Sequence, residues 1–151
     1  MSSWLVVVMM IASGAFMAFQ APLNARLRGH VGALESSLIS FCVGTFILAV
    51  AVACTGKGSL GGIRNVSWWE LLGGLIGAIF VTTSLLSSPV IGVTGIIVAA
   101  LAGQLAMALV IDGCGLVGME KKPLDLHRIA GLGLLVVAVL LINWNSWKKP
   151  A

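Results

Sequence analysis

The sequence predicts an all-α integral membrane protein with five transmembrane helices. Hydrophobic residues make up 59% of its 151 residues and charged residues only 9%, and the mean hydropathy is +1.09. A water-soluble domain of this size does not have such a composition. The apolar residues form continuous runs of the roughly 20 residues that a helix needs to cross a hydrocarbon core about 30 Å thick. A membrane β-barrel would instead alternate polar and apolar residues in short segments.

Five such runs follow one another and leave few residues outside, so residues 1–151 are predicted to form a single transmembrane domain. The first run is N-terminal and contains the small-residue stretch ASGA, as a signal peptide would. A signal peptide begins with a basic segment, however, and no Lys or Arg precedes Arg26, so a membrane helix is the preferred interpretation. The predicted helices span about residues 4–21, 37–54, 68–88, 90–111 and 127–144.

The third and fourth predicted helices are joined by the letters SSPV alone. Pro89 suits a helix boundary because it lacks an N–H group and disfavours helix in the residue before it, so a tight antiparallel hairpin is expected there. The tryptophans fall at predicted helix ends, where an indole ring is stable at headgroup depth. They are Trp4, Trp68, Trp69, Trp144 and Trp147.

The basic residues predict topology and not nucleic-acid binding, because they are scattered among the loops and form no basic face. With five helices, five Lys and Arg residues lie on the side of the N-terminus and four on the other side. Most membrane proteins show a clear excess facing the cytoplasm. The near balance predicts dual topology. Two copies inserted in opposite senses, or one copy with an oppositely oriented homologous half, would form the inverted pair on which many transporters are built.

A group of polar residues follows the first apolar run, in the stretch QAPLNARLRG. Gln20 and Asn24 are four residues apart and share a face if the helix continues through Pro22, which would free the carbonyl of Ala18. A kinked polar helix at membrane depth is tolerated only beside protein or a watery cavity, so these residues are candidates for a substrate path. The alternative is an ordinary helix end with a proline stop and a basic flank.

Gln104 lies inside the fourth predicted helix, in a run that is otherwise apolar, small or hydroxylated. An unpaired amide in hydrocarbon costs several kcal/mol, so Gln104 must bind another helix or face a watery cavity. As a result, it is a candidate for substrate contact. A hydrogen bond that joins two packed helices is the alternative.

The acidic residues give no central membrane carboxylate. Asp112 and Glu35 lie at helix edges and are the possible polar or coupling groups, although Asp112 is equally suited to cap the next loop or to pair with Arg128. His30 and His127 lie beside loops, and the three cysteines lack the spacing of a metal site. The sequence therefore predicts no enzyme, no metal and no cofactor.

Small residues predict where helices pack, because helices in lipid associate where their backbones approach closely. They recur at intervals of four along the third and fourth predicted helices. The predicted packing residues are Gly73, Gly77, Gly95, Ala99 and Gly103.

Several of these stretches together resemble the YdcZ-type family of the drug/metabolite transporter superfamily. They are AFQAPLNARL, SFCVGTF, WWELLGGLIGAIFV and AGQLAMALVIDGCGLVGMEKKPLDLHRIAGLGLL. Gln20, Pro22 and Asn24 match the motif of the first helix, and Gly103, Gln104 and Asp112 match that of the fourth. The resemblance implies a five-helix half-transporter of the plasma (inner) membrane that works as two halves of inverted topology.

The leading functional hypothesis is a secondary transporter of a small polar metabolite or drug-like solute that works by alternating access. Two inverted halves would rock about a site near the membrane midplane, formed in part by Gln20, Asn24 and Gln104. The alternative is a non-transporting membrane scaffold or regulatory subunit of a partner protein. The lack of a central charge motivates that alternative.

Overall fold

The computed structural model describes residues 3–147, and their regular structure is entirely helical. Four helical segments within this range are long and apolar enough to cross a membrane, which confirms the prediction of an all-α membrane protein. Lys148 and Lys149 of the charge count lie outside the described residues, as does the side chain of Trp147. The long helices are α1 (Ser3–Val31), α2 (Ala33–Thr55), α3 (Leu72–Cys114) and α4 (Leu126–Trp147). Short 3-10 turns lie at Leu60–Asn65, Trp68–Leu71 and Leu116–Gly118.

Pro22 does not end the first helix. α1 continues through it to Val31, so both the predicted end at residue 21 and the predicted start of the second helix at residue 37 are wrong. A proline inside a helix removes one backbone hydrogen bond, here the one to the carbonyl of Ala18, and the residues that follow can still continue the helix. α1 has 29 residues and a length of about 43 Å, more than the hydrocarbon core requires.

A single glycine connects α1 to α2. Gly32 has φ 101°, a conformation that favours glycine, and its N–H donates to the carbonyl of Arg28. The Cβ of any other residue at this position would collide with the carboxylate of Glu35, which folds back over the turn. The predicted loop of residues 22–36 is thus reduced to one residue, and Glu35 lies in the first turn of α2.

The break within α3 is at Gly92 and not at Pro89. Gly92 has φ 67° and ψ 175°, whereas Pro89 lies within the helical residues, so the predicted boundary at residues 88–90 is wrong by a few positions. A positive φ is accessible to glycine without the steric cost that other residues meet. The apolar segment Trp68–Cys114 has 47 residues, more than twice the roughly 20 that one helical crossing of the hydrocarbon core needs. The count of five spans stays a prediction.

The chain divides into a first unit up to Leu86 and a second unit from Ser87. Few side chains are buried in either unit, as expected where lipid covers the apolar surface. Among the described residues the buried side chains are half apolar and half polar. The apolar ones are Val81, Leu85, Ile96 and Leu109, and the polar ones are Asn24, Ser36, Ser37 and Asn143.

Candidate functional site

A cluster of polar side chains joins three helical segments of the first unit through two sets of hydrogen bonds, one between α1 and α2 and one between α2 and α3. Its members are Asn24 of α1, Ser36, Ser37 and Ser40 of α2, and Thr82 of α3, and we call it the polar network. Ser36 donates to the carbonyl oxygen of Asn24 at 2.9 Å, and Ser40 donates to Oδ1 of the same residue at 2.5 Å. Thr82 donates to the hydroxyl of Ser37 at 3.1 Å, and Ser37 donates to the carbonyl of Ala33 at 3.1 Å.

Burial makes these hydrogen bonds necessary. Ser36 is 0% exposed, Ser37 5% and Asn24 7%, in a chain whose exposed surface is largely apolar. A buried hydroxyl or amide without a partner costs roughly 1 to 3 kcal/mol by protein mutational data. Each buried hydroxyl of the network donates to an oxygen, so that cost is avoided. The Nδ2 group of Asn24 donates no hydrogen bond within the part of the chain that the structure describes.

Arg28 lies one helical turn beyond Asn24 and reaches into α3. Its Nη1 donates to the main-chain carbonyl of Leu85 at 2.5 Å. In a regular helix that carbonyl would accept from the N–H of residue 89, but residue 89 is a proline and has no N–H. The guanidinium therefore satisfies an acceptor that the sequence of α3 itself leaves open.

Gln20, Asn24 and Arg28 recur every four residues of α1 and so lie along one side of the helix, about 6 Å apart. Gln20 is exposed in the chain, and its side chain makes no hydrogen bond to any described residue. A shared face of Gln20 and Asn24 requires that the helix continue through Pro22, and α1 does so. Their role in a substrate path stays a prediction.

In the second unit, Asp112 forms an ion pair with Arg128. The distance from Arg128 Nη1 to Asp112 Oδ2 is 3.2 Å, and the two side chains are 36% and 31% exposed. Asp125 positions Arg128 in the first turn of α4, because its Oδ1 accepts from the backbone N–H of Arg128 at 2.8 Å. The backbone carbonyl of Asp112 also accepts from Lys122 at 2.9 Å, which ties the connecting loop to α3. Pairing with Arg128, one of the alternatives open from the sequence, is thus confirmed.

A cavity of about 320 Å³ lies beside this ion pair, between the end of α3 and the start of α4. Its walls are mostly apolar, with one carboxylate and one guanidinium at its edge. The lining residues are Leu105, Ala108, Leu109, Asp112, Arg128 and Gly131.

Gln104 lies four residues before Ala108 and eight before Asp112, so it belongs to the same side of α3 as two residues that line the cavity. It is exposed, and its side chain makes no hydrogen bond within the second unit as described. The second unit as described therefore contains no hydrogen bond from the side chain of Gln104 to another helix, which is the alternative to substrate contact. Substrate contact by Gln104 stays a prediction.

Asn143 of α4 is a buried amide that lacks one partner. It is 3% exposed; its Nδ2 donates to the carbonyl of Val139 at 3.0 Å, and its Oδ1 accepts no hydrogen bond from residues 3–147. Oδ1 lies against the backbone of Gly95 in α3, at 2.5 Å from the position that a Cβ would take there. Only a residue without a side chain allows this approach.

The predicted packing residues divide into two groups. Gly95 contacts Asn143, and Gly77 lies where a Cβ would be 3.4 Å from the ring of Phe41, so both pack within their own units. A Cβ added at Gly73 or at Gly103 would meet nothing within 4 Å, and Ala99 is exposed. The second group is open to lipid or to another protein.

Four hydroxyl residues and two further side chains are not among the predicted site residues. Ser36 and Ser40 are four residues apart in the stretch ESSLIS and share a helix face. This spacing does not point to a site because Ser36 precedes the predicted second helix and Ser40 lies in its first turn. The sequence assigns Arg28 to topology alone and places Asn143 at a predicted helix end beside an interfacial tryptophan. The remaining members that sequence reasoning missed are Ser37 and Thr82.

No group of three or more His, Cys, Asp or Glu residues in the described range is placed to hold a metal ion. The three cysteines are free and exposed.

The family described as "Putative inner membrane exporter, YdcZ" matches residues 5–141 of the chain. The chain is also similar to "Inner membrane protein YdcZ" of Escherichia coli (strain K12), with 29% identity over 152 residues that cover 97% of this chain and 100% of that protein. No solved structure matches the chain. Together with the apolar helices, the family match confirms an integral membrane protein of the plasma (inner) membrane. Because the match covers most of its length, the chain belongs to the YdcZ family of inner membrane proteins.

Proposed function

We propose that the chain is one half of a secondary transporter that moves a small polar metabolite or drug-like solute across the inner membrane by alternating access. The observation that carries the proposal is the polar network, in which Asn24, Ser36 and Ser37 are buried while the surface around them is apolar. Polar groups inside a membrane are expensive and typically line the path of a substrate or ion. Hydrogen bonds of this kind also join packed helices in membrane proteins that only scaffold a partner, so a transport measurement has to separate the two functions.

The network is suited to a neutral or weakly charged polar solute. Hydroxyls donate and accept, so the side chains of Ser37, Ser40 and Thr82 can exchange a protein partner for a solute oxygen or nitrogen at little net cost. Gln20 and Gln104 extend the set of uncharged hydrogen-bonding groups. A path of this kind lowers the desolvation cost that the bilayer imposes on a polar solute.

The functional unit in this proposal is an antiparallel pair, made of two copies of this chain or of one copy and an oppositely oriented homologous half. The nearly equal Lys and Arg counts on the two membrane sides support it. Gly73, Ala99 and Gly103 also support it, because all three are small and exposed, and a Cβ at either glycine would meet no described residue within 4 Å.

The experiment that tests transport is uptake and counterflow in proteoliposomes containing the purified chain, with a panel of amino acids, sugars, organic acids and cationic dyes. We expect at least one class of solute to be moved by the wild type. The variant Asn24→Ala removes the acceptor of Ser40 and should reduce the rate at least about tenfold, whereas Asn145→Ala removes an exposed amide at the end of α4 and should not. Failure of the folded wild type to move any solute would favour the scaffold or regulatory subunit.

A further inference from the structure

Arg28 is a cation without a carboxylate partner. All five carboxylate side chains lie among the described residues, and the ion pairs found there are those of Arg128 with Asp112 and Asp125. The carboxylate nearest along the chain, Glu35, folds over Gly32 and makes no ion pair with Arg28. A partly buried guanidinium in a membrane protein is ordinarily paired with a negative charge. The unpaired guanidinium of Arg28 is therefore suited to bind an anion.

The donors of Arg28 are only partly used. Nη1 donates to the carbonyl of Leu85, and no other hydrogen bond from this guanidinium is formed to the described part of the chain. A guanidinium presents further N–H groups in a planar fork that matches the two oxygens of a carboxylate or a phosphate. The bond to Leu85 fixes the orientation of the fork and leaves its other donors available.

A second donor lies one turn away on the same side of α1. The Nδ2 group of Asn24 makes no hydrogen bond within the described residues, while its Oδ1 is held by Ser40. With Oδ1 bonded to Ser40, Nδ2 is the group of this amide that is left to donate. Arg28 and Asn24 therefore offer a positive charge and hydrogen-bond donors together on one side of α1.

The geometry points to an oxyanion site formed by Arg28 and Asn24, with a carboxylate or phosphate group of the transported solute as its ligand. This inference rests on the proposed function and deepens it, because it assigns the solute to the organic anions. The guanidinium binds one or two oxygens of the anion, and Asn24 Nδ2 donates to another. Gln20, one turn further along α1, is placed for an uncharged part of the same solute.

The first test measures binding to the full chain in dodecylmaltoside micelles by thermal shift, because a ligand that binds the native state raises its apparent stability. The probes are inorganic phosphate and acetate, with acetamide and methylammonium as neutral and cationic matches, all at one ionic strength. We expect phosphate and acetate to raise the melting temperature and the other two not to. Equal effects of all four probes, or no effect of the two anions, would overturn the inference without any variant.

Three substitutions distinguish anion binding by Arg28 from a general effect of positive charge on anion binding. Arg28→Gln removes the charge and should raise the half-maximal anion concentration at least about tenfold, and Arg28→Lys should retain part of the response because it keeps a point charge but not the fork. Arg26→Gln is the matched control, since it removes the same charge from an exposed position two residues away. An equal loss in Arg26→Gln, or an undiminished response in Arg28→Gln, would contradict the site.

The headgroups of anionic lipids carry phosphate groups too. The thermal shift is therefore measured separately with added phosphatidylglycerol. Stabilisation by acetate in micelles without that lipid supports a solute site, and a response to phosphatidylglycerol alone overturns it. The transport assay distinguishes failure of the oxyanion site from failure of the proposed transport function. If the chain moves only neutral or cationic solutes and Arg28→Gln moves them as well, the transporter proposal stands and the oxyanion site falls. If the anions bind through Arg28 but nothing is moved, the transporter proposal falls instead.

Discussion

Arg28 donates from Nη1 to the carbonyl of Leu85, the acceptor that Pro89 leaves open four residues later. A helical proline and an arginine from another helix are thereby linked. If the bond exists because residue 89 has no N–H, restoring that N–H should make the arginine dispensable for stability.

A double-mutant cycle tests this link. Arg28→Met should lower the free energy of unfolding in detergent by about 1 to 3 kcal/mol, because it leaves a buried carbonyl unsatisfied. In a Pro89→Ala background the new N–H can bond to Leu85, so the same change should cost less, with a coupling of at least about 0.5 kcal/mol. Additive effects of the two substitutions would show that the proline and the arginine are independent.

The turn at Gly32 predicts a large difference between two nearby glycines. Gly32→Ala places a side chain at φ 101° and against the Glu35 carboxylate, and should cost about 1 to 3 kcal/mol. Gly29→Ala is the matched control, because it lies in α1 with open space at its Cβ position and alanine is the better helix former. Equal melting temperatures for the two variants would argue against the single-residue turn.

The contact of Gly95 with Asn143 makes a similar comparison possible in the second unit. In Gly95→Ala the new Cβ would meet both Asn143 Oδ1 and Ile91, so the variant should unfold at a lower temperature. A Cβ at Gly103 meets no described atom within 4 Å, and alanine is the better helix former, so Gly103→Ala should not lower the stability of the monomer. If the antiparallel pair packs on Gly103, that second variant should instead weaken self-association, which crosslinking in vesicles measures.

The side chains of the Asp112–Arg128 ion pair are 31% and 36% exposed, so the pair should contribute little to stability. Asp112→Asn is expected to lower the stability by less than about 1 kcal/mol, since solvent screens a pair at this exposure. The charge-swapped variant, Asp112→Arg with Arg128→Asp, should recover most of that loss in chemical unfolding. A loss that the swap does not recover would mean that Asp112 has a further role at the edge of the cavity.

Gln104 is the most direct test of the predicted substrate path. Gln104→Leu removes an exposed amide that has no partner in its own unit, so the fold should be retained while transport falls. Helicity and the elution volume of the purified variant establish the fold, and uptake in proteoliposomes measures transport. Unchanged uptake by a folded variant removes Gln104 from the path.

The fold class was predictable because apolar run length is a property of the sequence alone, whereas helix boundaries depend on tertiary contacts. Pro89 appears as a stop in the sequence and Pro22 is open to either interpretation, yet both lie within helices. For Pro89 the freed carbonyl is satisfied by a residue 57 positions away in the chain. Asn24 was predictable from its four-residue spacing to Gln20. The unpaired oxygen of Asn143 was not, because it depends on how α4 packs against Gly95.

The central claim is that this chain is half of a transporter whose two halves have inverted topology, and transport by copies of fixed orientation tests it most directly. Two lysines added after Met1, together with removal of Lys148 and Lys149, change the basic count on the two sides to seven against two and should fix one orientation. Two lysines added after Ala151, with Lys121 and Lys122 removed, bias a second copy the other way. If the wild type inserts in both senses, each fixed copy alone should be inactive in cells and the two together active. Full activity from either copy alone, where the wild type inserts in both senses, would contradict the account. A wild-type C-terminus labelled from one membrane face only, with no partner protein co-purifying, would contradict it as well.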